Sequence, residues 1–148
     1  MTLRIRTLGV ALLLVGCGVL EDDQPIADSA RQMMWSKRVS PSALPWPGAA
    51  EYCREHSFAN YSDWRLPTKA EIESMVNPDL VDEAPNSTVV PLYGPFTEPS
   101  DGYLFSGTVV AGYEDAPYVM NLRNGHIFNG KGYEAFVRCV RDMRFGGD

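Results

Sequence analysis

Few groups in this chain could do chemistry. Cys53 and His56 stand three apart, and residues 47–58 read as a helix, so one turn would bring them together. A thiol beside an imidazole is the arrangement of a nucleophilic cysteine, provided that the thiol is free. His56 and His126 lack a third partner at the spacing of any metal motif, and no Ser-His-Asp pattern or phosphate loop is present. Asp82, Glu83, Asp101, Glu114 and Asp115 could together attract a cation such as calcium, which wants several oxygen ligands. Carboxylates scattered through loops are ordinarily only solvated, so no metal or cofactor is expected.

The third cysteine, Cys17, belongs to a different chemistry. Arg4 and Arg6 precede an apolar run over residues 8–15, which ends in Leu14, Val15, Gly16 and Cys17. A membrane span needs roughly 20 apolar residues, so this run fits the core of an export signal instead. An aliphatic residue, a small residue and then cysteine resembles the bacterial lipobox, whose thiol takes a lipid once deprotonated. Residues 1–16 are therefore expected to be a lipoprotein signal peptide, with Cys17 acylated. Losing Arg4 and Arg6 from the 13 Lys and Arg leaves 11 against 19 Asp and Glu, a net charge of −8. So acidic a chain is not suited to nucleic acid, where neutralising phosphate dominates affinity. Attachment to a membrane would come from the lipid. Gly18 after the cysteine points to the outer membrane, and residues 17–32, acidic and aperiodic, read as a flexible tether.

Residues 33–143 are left as one domain with a single core, followed by a short tail over 144–148. In an exported compartment its two cysteines, Cys53 and Cys139, are most simply a disulfide. The loop so closed would stabilise by roughly 4.5 kcal/mol on chain-entropy grounds. An opening strand is expected over residues 33–39 and a Pro-rich loop after it. Helix one starts near Pro47 and turns Ala49, Ala50 and Cys53 inward. Thr68, Lys69, Ala70 and Glu71 form a capping box for helix two, whose stripe is Ile72, Met75 and Val76, with Asn77 and Pro78 as its stop. Leu66 is placed to staple onto Ile72 or nearby apolar groups. Residues 79–102 read as a long loop. Strands follow at 103–110 and 117–122, separated by an acidic turn over 112–116, and Asn124-Gly125 signals a hairpin. A terminal strand over 134–142 would face Val137 and Cys139 one way, and Phe136, Arg138 and Val140 the other. Two helices ahead of antiparallel strands make an α+β pattern.

The order of "MMW", "WPGAAEYC", "YSDWRLPTKAEIESM", "YLFSGT", "YVMNLRNGHI" and "FVRCVRD" is specific. It resembles the Lcl C-terminal domain family, a bacterial domain named for a collagen-like adhesin. Only Leu104-Phe105 departs, where that family often has Trp. The resemblance implies a C-type-lectin-like fold in which a disulfide ties the first helix to the last strand. It also implies structural roles for Trp64 as a core plug, for Arg65 as a partner of loop carbonyls or a carboxylate, and for Pro67 and Thr68 as the launch of helix two. Calcium-dependent lectins carry a Glu-Pro-Asn loop. Here Glu98-Pro99-Ser100-Asp101 stands instead, without the later Trp-Asn-Asp. Formylglycine-generating enzymes share the fold but need a reactive cysteine or metal-binding histidines.

Together these point to a non-catalytic, lipid-anchored binding module for a glycan, matrix component or envelope protein. Loops on a rigid scaffold are where recognition concentrates, and Tyr93, Phe96, Tyr103, Tyr113, Glu98 and Asp101 are the candidate contacts. An enzyme of the formylglycine type, or a structural subunit of an envelope assembly, are the alternatives.

Overall fold

The computed structural model describes residues 24–55, 57–77, 96 and 102–143. The architecture is α+β, with small antiparallel sheets and two helices. The first sheet has the order β1 (Ile26–Asp28), β2 (Met33–Trp35) and β8 (Val140–Asp142), so the two ends of the domain pair through β2. β3 (Leu44–Pro45) pairs with β7 (Glu134–Ala135). The third sheet is the meander β4 (Tyr103–Val110), β5 (Tyr113–Asn121) and β6 (Ile127–Asn129).

The domain starts earlier than the expected tether allowed. Ile26 lies opposite Trp35 in the ladder and is buried in the core, so residues 26–28 belong to the fold. A three-residue strand in an acidic stretch carries too little alternation to be read from sequence. The opening strand is likewise shorter than residues 33–39, ending at Trp35.

Helix α1 (Trp46–Glu55) holds Pro47 in its first turn, where a missing N–H costs nothing, and turns Ala49 and Cys53 inward. Helix α2 (Lys69–Glu73) starts as its cap requires. The Glu71 N–H donates to Thr68 Oγ1 at 3.2 Å, and the Thr68 N–H donates to the Glu71 carboxylate at 2.7 Å. It stops sooner than Asn77. Ser74 caps it, and its hydroxyl donates to the Glu71 carbonyl, although Met75 still reaches the core in the turn that follows. Leu66 staples onto nearby apolar groups rather than onto Ile72, which lies in the first cluster. Leu66 packs in the second core cluster, with its Cβ close to where a side chain on Gly107 would begin.

The expected acidic turn over 112–116 is mostly strand. The reversal is made by Ala111 and Gly112, and β5 already begins at Tyr113, opposite Val110. Tyr113, Glu114 and Asp115 are exposed there, so no apolar alternation marks the strand. Asn124-Gly125 does lie in the β5–β6 connection. Only Gly125 takes a positive φ, and the closing bond runs from Asn121 N–H to His126 C=O.

The terminal run is broken rather than one strand, because serines replace a neighbouring strand along part of it. The Ser36 N–H donates to the Cys139 carbonyl while the Cys139 N–H donates to Ser36 Oγ. Ser40 does the same for Val137. Backbone groups thus satisfied need no ladder. The alternation of faces nonetheless holds. Ala135, Val137 and Cys139 enter one cluster with Trp64, Phe105 and Val119, whereas Phe136 and Val140 join the other, with Trp35, Ile72, Leu104 and Met120. This segment and the meander sheet are partitions between two apolar clusters. Buried Arg138 is held there by the Ser36 and Lys37 carbonyls, its guanidinium 5.4 Å from the Phe96 ring centroid. Cys53 and Cys139 are joined, tying α1 to the residue before β8 across a sequence separation of 86.

Candidate functional site

Strand register assembles the most ligand-like feature among the described residues. Tyr103 lies opposite Asn121, and Asn121 meets His126 one step beyond the pair Met120 and Ile127. Residues directly opposite share a face, so Tyr103, Asn121 and His126 form one row across the meander. The next row on that face is Phe105, Val119 and Phe128, of which Phe105 and Val119 are fully buried. The outer row stands at the open end, where burial runs out.

Aromatic rings cover this end. His126 stacks on Phe128 with centroids 6.0 Å apart and an interplanar angle of 14°. Tyr103 meets Phe128 at 5.7 Å and Tyr133 at 5.0 Å, and Phe128 meets Tyr133 at 5.3 Å, all edge to face. Such geometry favours ring quadrupoles and fixes the rings in place. Tyr133 is brought back over the sheet by a tight turn: its N–H donates to the Gly130 carbonyl, and Gly132 has a φ of +80°. At Gly130 a Cβ would come within 2.4 Å of Val119 Cγ1, so only glycine lets the chain pass this close. Tyr133 remains 41% exposed.

Beside the rings lies a cleft of about 300 Å³, lined by Gly102, Tyr103, Asn121 and Arg123. The Asn121 carboxamide is oriented, since its Oδ1 accepts the Arg123 N–H at 2.8 Å. The amide NH2 is thereby the group left to meet a ligand. Rings, an oriented amide and the Arg123 side chain thus meet at one mouth.

Of the residues expected to bind, Tyr103 stands in this row, and Phe96 and Tyr113 are the other two among the described residues. Phe96 is half-buried, edge-on to Trp35 at 5.5 Å, and packs on the first cluster. Tyr113 is 60% exposed but sits at the opposite end of the β4–β5 hairpin, roughly 20 Å or more from Tyr103 at about 3.3 Å per residue. Tyr93, Glu98, Asp101, His56 and Cys17 lie outside the described residues. Among the described residues, no three His, Cys, Asp or Glu side chains are grouped to hold a metal. Cys53 is oxidised, which removes the thiolate that a cysteine nucleophile would need.

The Trp64 to Thr68 stretch is built for support. Trp64 is 3% exposed, touches Phe58 and Tyr61 with its ring, and donates its Nε1–H to the Phe58 carbonyl at 3.2 Å. Phe58 and Tyr61 close a two-residue hairpin through Ala59 and Asn60, both at positive φ. Arg65 grips both Glu71 oxygens at 2.8 and 2.9 Å and Asp142 at 2.8 Å, and it also donates to the Leu66 carbonyl. It thereby joins the capping box to β8. Arg141 holds Asp63 in the same forked manner, with its guanidinium 3.8 Å from the Tyr61 ring centroid.

Burial pushes the Glu71 carboxyl up, but hydrogen bonds from Arg65 and Thr68 outweigh it and hold the acid below its ordinary value. A carboxyl depressed on folding adds stability above its unfolded pKa, and that stability fades as pH falls through the folded one. Glu71→Gln should therefore cost roughly 1–2 kcal/mol near neutral pH, allowing for the partial exposure of Arg65. It should also flatten the loss of stability below about pH 4. Urea midpoints measured from pH 7 to pH 2 check both. An unchanged acid limb would show that Glu71 is not the linked group.

Sequence reasoning singled out Tyr103 but missed Asn121, His126, Phe128 and Tyr133. The Asn-Gly signal placed His126 and Phe128 beyond a hairpin, yet which residues share a row depends on register, which no local pattern printed. Tyr133 needed a tertiary fact, the close pass of Gly130 over Val119.

No curated protein matches the chain. The family model described as the Lcl C-terminal domain matches residues 24–141, from just before β1 to the middle of β8. That span starts where the described fold starts, and it includes the capping box and the disulfide pair Cys53 and Cys139. The chain belongs to the Lcl C-terminal domain family.

Proposed function

We propose that this protein is a non-catalytic binding module, carried on the bacterial outer membrane by a lipid at Cys17, with the open end of the meander as its recognition face. The observation that carries the reading is that end itself: exposed Tyr133 and half-buried Tyr103 and Phe128, fixed by edge-to-face packing beside an oriented amide and a cleft. Fixed side chains lose little freedom when a ligand arrives. The lipobox-like sequence supports the anchor, and an envelope protein, matrix component or glycan is the class of partner. A C-type-lectin-like arrangement is favoured by the bond from the first helix to the chain just before the last strand.

Recognition is tested by comparing the full chain with Tyr133→Ala in capture of envelope and matrix components. Captured partners should be lost at least tenfold while the melting temperature moves by no more than a few degrees. Full retention of every partner would remove this face from the reading.

The anchor has its own check. Cys17→Ala should leave a precursor without acyl label that no longer sediments with membranes. Unchanged acylation and fractionation would exclude Cys17 as the attachment point.

A further inference from the structure

We infer that the row of Tyr103, Asn121 and His126, with Tyr133 at its margin, is a subsite for an uncharged saccharide. The inference rests on the binding-module reading and names its ligand class. A pyranose has two flat faces of C–H bonds and a rim of hydroxyls. It therefore asks for an aromatic surface to lie on and a fixed polar group that meets the rim. The row supplies an aromatic ring, an amide and an imidazole in sequence across three strands. Phe128 and Tyr133 hold Tyr103 edge-on, while Phe128 backs His126 face to face. Asn121 is turned by its bond from the Arg123 N–H, so its NH2 is presented to donate to a hydroxyl oxygen. At about 300 Å³ the cleft stands at the small end of ligand pockets, a size for one ring rather than a large cofactor.

Other ligand classes fit less well. The chain carries a net charge of −6, which repels polyanions at long range. Among the described residues, the cleft lining includes no carboxylate to hold a cation or to recruit calcium. An extended peptide adds to a sheet through a strand edge, whereas this row lies on the sheet's face. An uncharged ligand with a flat apolar side and hydroxyl groups remains.

The experiment uses the full chain in detergent, titrated with methyl glycosides and neutral oligosaccharides of glucose, galactose, mannose and N-acetylglucosamine. An acidic oligosaccharide and a chelator are included as separate arms. At least one neutral saccharide should bind, with affinity unchanged by chelator. Tyr133→Ala and Asn121→Asp should each weaken it tenfold or more. The aspartate keeps an oxygen that accepts the Arg123 N–H and exchanges the NH2 donor for a charged acceptor oxygen, so it separates recognition from folding should the tyrosine variant unfold. Tyr113→Ala, at the far end of the hairpin, should bind as the parent does.

Binding of the acidic saccharide alone, or loss on adding chelator, overturns the inference. So does an undiminished affinity in Asn121→Asp. If no saccharide binds but envelope proteins are captured through Tyr133, the saccharide assignment fails and the module reading stands. If neither is retained, both fail.

Discussion

Protein lacking the Cys53–Cys139 bond is expected to be less stable by about 4–5 kcal/mol. The bond spans a separation of 86 residues, and the chain-entropy relation for a loop of that size gives roughly 4.5 kcal/mol. Its location makes the effect more than statistical. Helix α1 contributes few buried side chains, chiefly Ala49 and Cys53, with Trp46 against Phe105 at its start. Cys139 sits in the segment that separates the two apolar clusters and is pinned by Ser36. Without the bridge, α1 is a ten-residue helix held by a narrow stripe, shorter than helices that persist alone in water. Urea unfolding of Cys53→Ala/Cys139→Ala should show the loss, and hydrogen exchange should place the earliest opening in α1. A loss under about 1 kcal/mol, or uniform exchange, would mean that packing rather than the bridge holds the helix.

Local signals were legible where a few neighbouring residues determine the outcome. Thr68 and Glu71 read as a capping box because both partners lie within four residues, and the hydrogen bonds form as expected. The alternation of residues 135–140 was likewise visible, and it divides the side chains between the two clusters. What stayed hidden depends on distant partners. Ser36 and Ser40 decide that residues 137–139 leave the ladder, from about a hundred positions away in sequence. β1 exists because Trp35 lies across from Ile26, a pairing that three residues cannot announce. The binding row was hidden for the same reason, since a one-residue shift of β6 would turn His126 and Phe128 to the opposite face. Composition pointed to loops for recognition, and Phe96 shows the risk: an aromatic in a loop-like stretch can be spent on the core.

Trp64→Ala should destabilise the domain by roughly 3–5 kcal/mol, the range for deleting a large buried aromatic side chain. Three losses add up at this site. The indole is 3% exposed and fills the second cluster beside Cys53, Val137 and Cys139, so its removal opens a void next to the disulfide. Its edge contacts with Phe58 and Tyr61 disappear, and these hold a turn whose two central residues, Ala59 and Asn60, both sit at positive φ. The Phe58 carbonyl also loses its indole donor. Tyr61 in turn lies under the Arg141 guanidinium, so loosening it weakens the link between this loop and β8. Thermal unfolding should fall by about 10–20 °C, at roughly 3–5 °C per kcal/mol for a domain of this size. Trp64→Phe should recover more than half of that, because it restores volume while leaving the hydrogen bond unmade. The binding row lies on other strands, so both variants should retain ligand affinity below their melting temperatures. Retained stability in Trp64→Ala, combined with lost binding, would move Trp64 from the scaffold to the recognition surface.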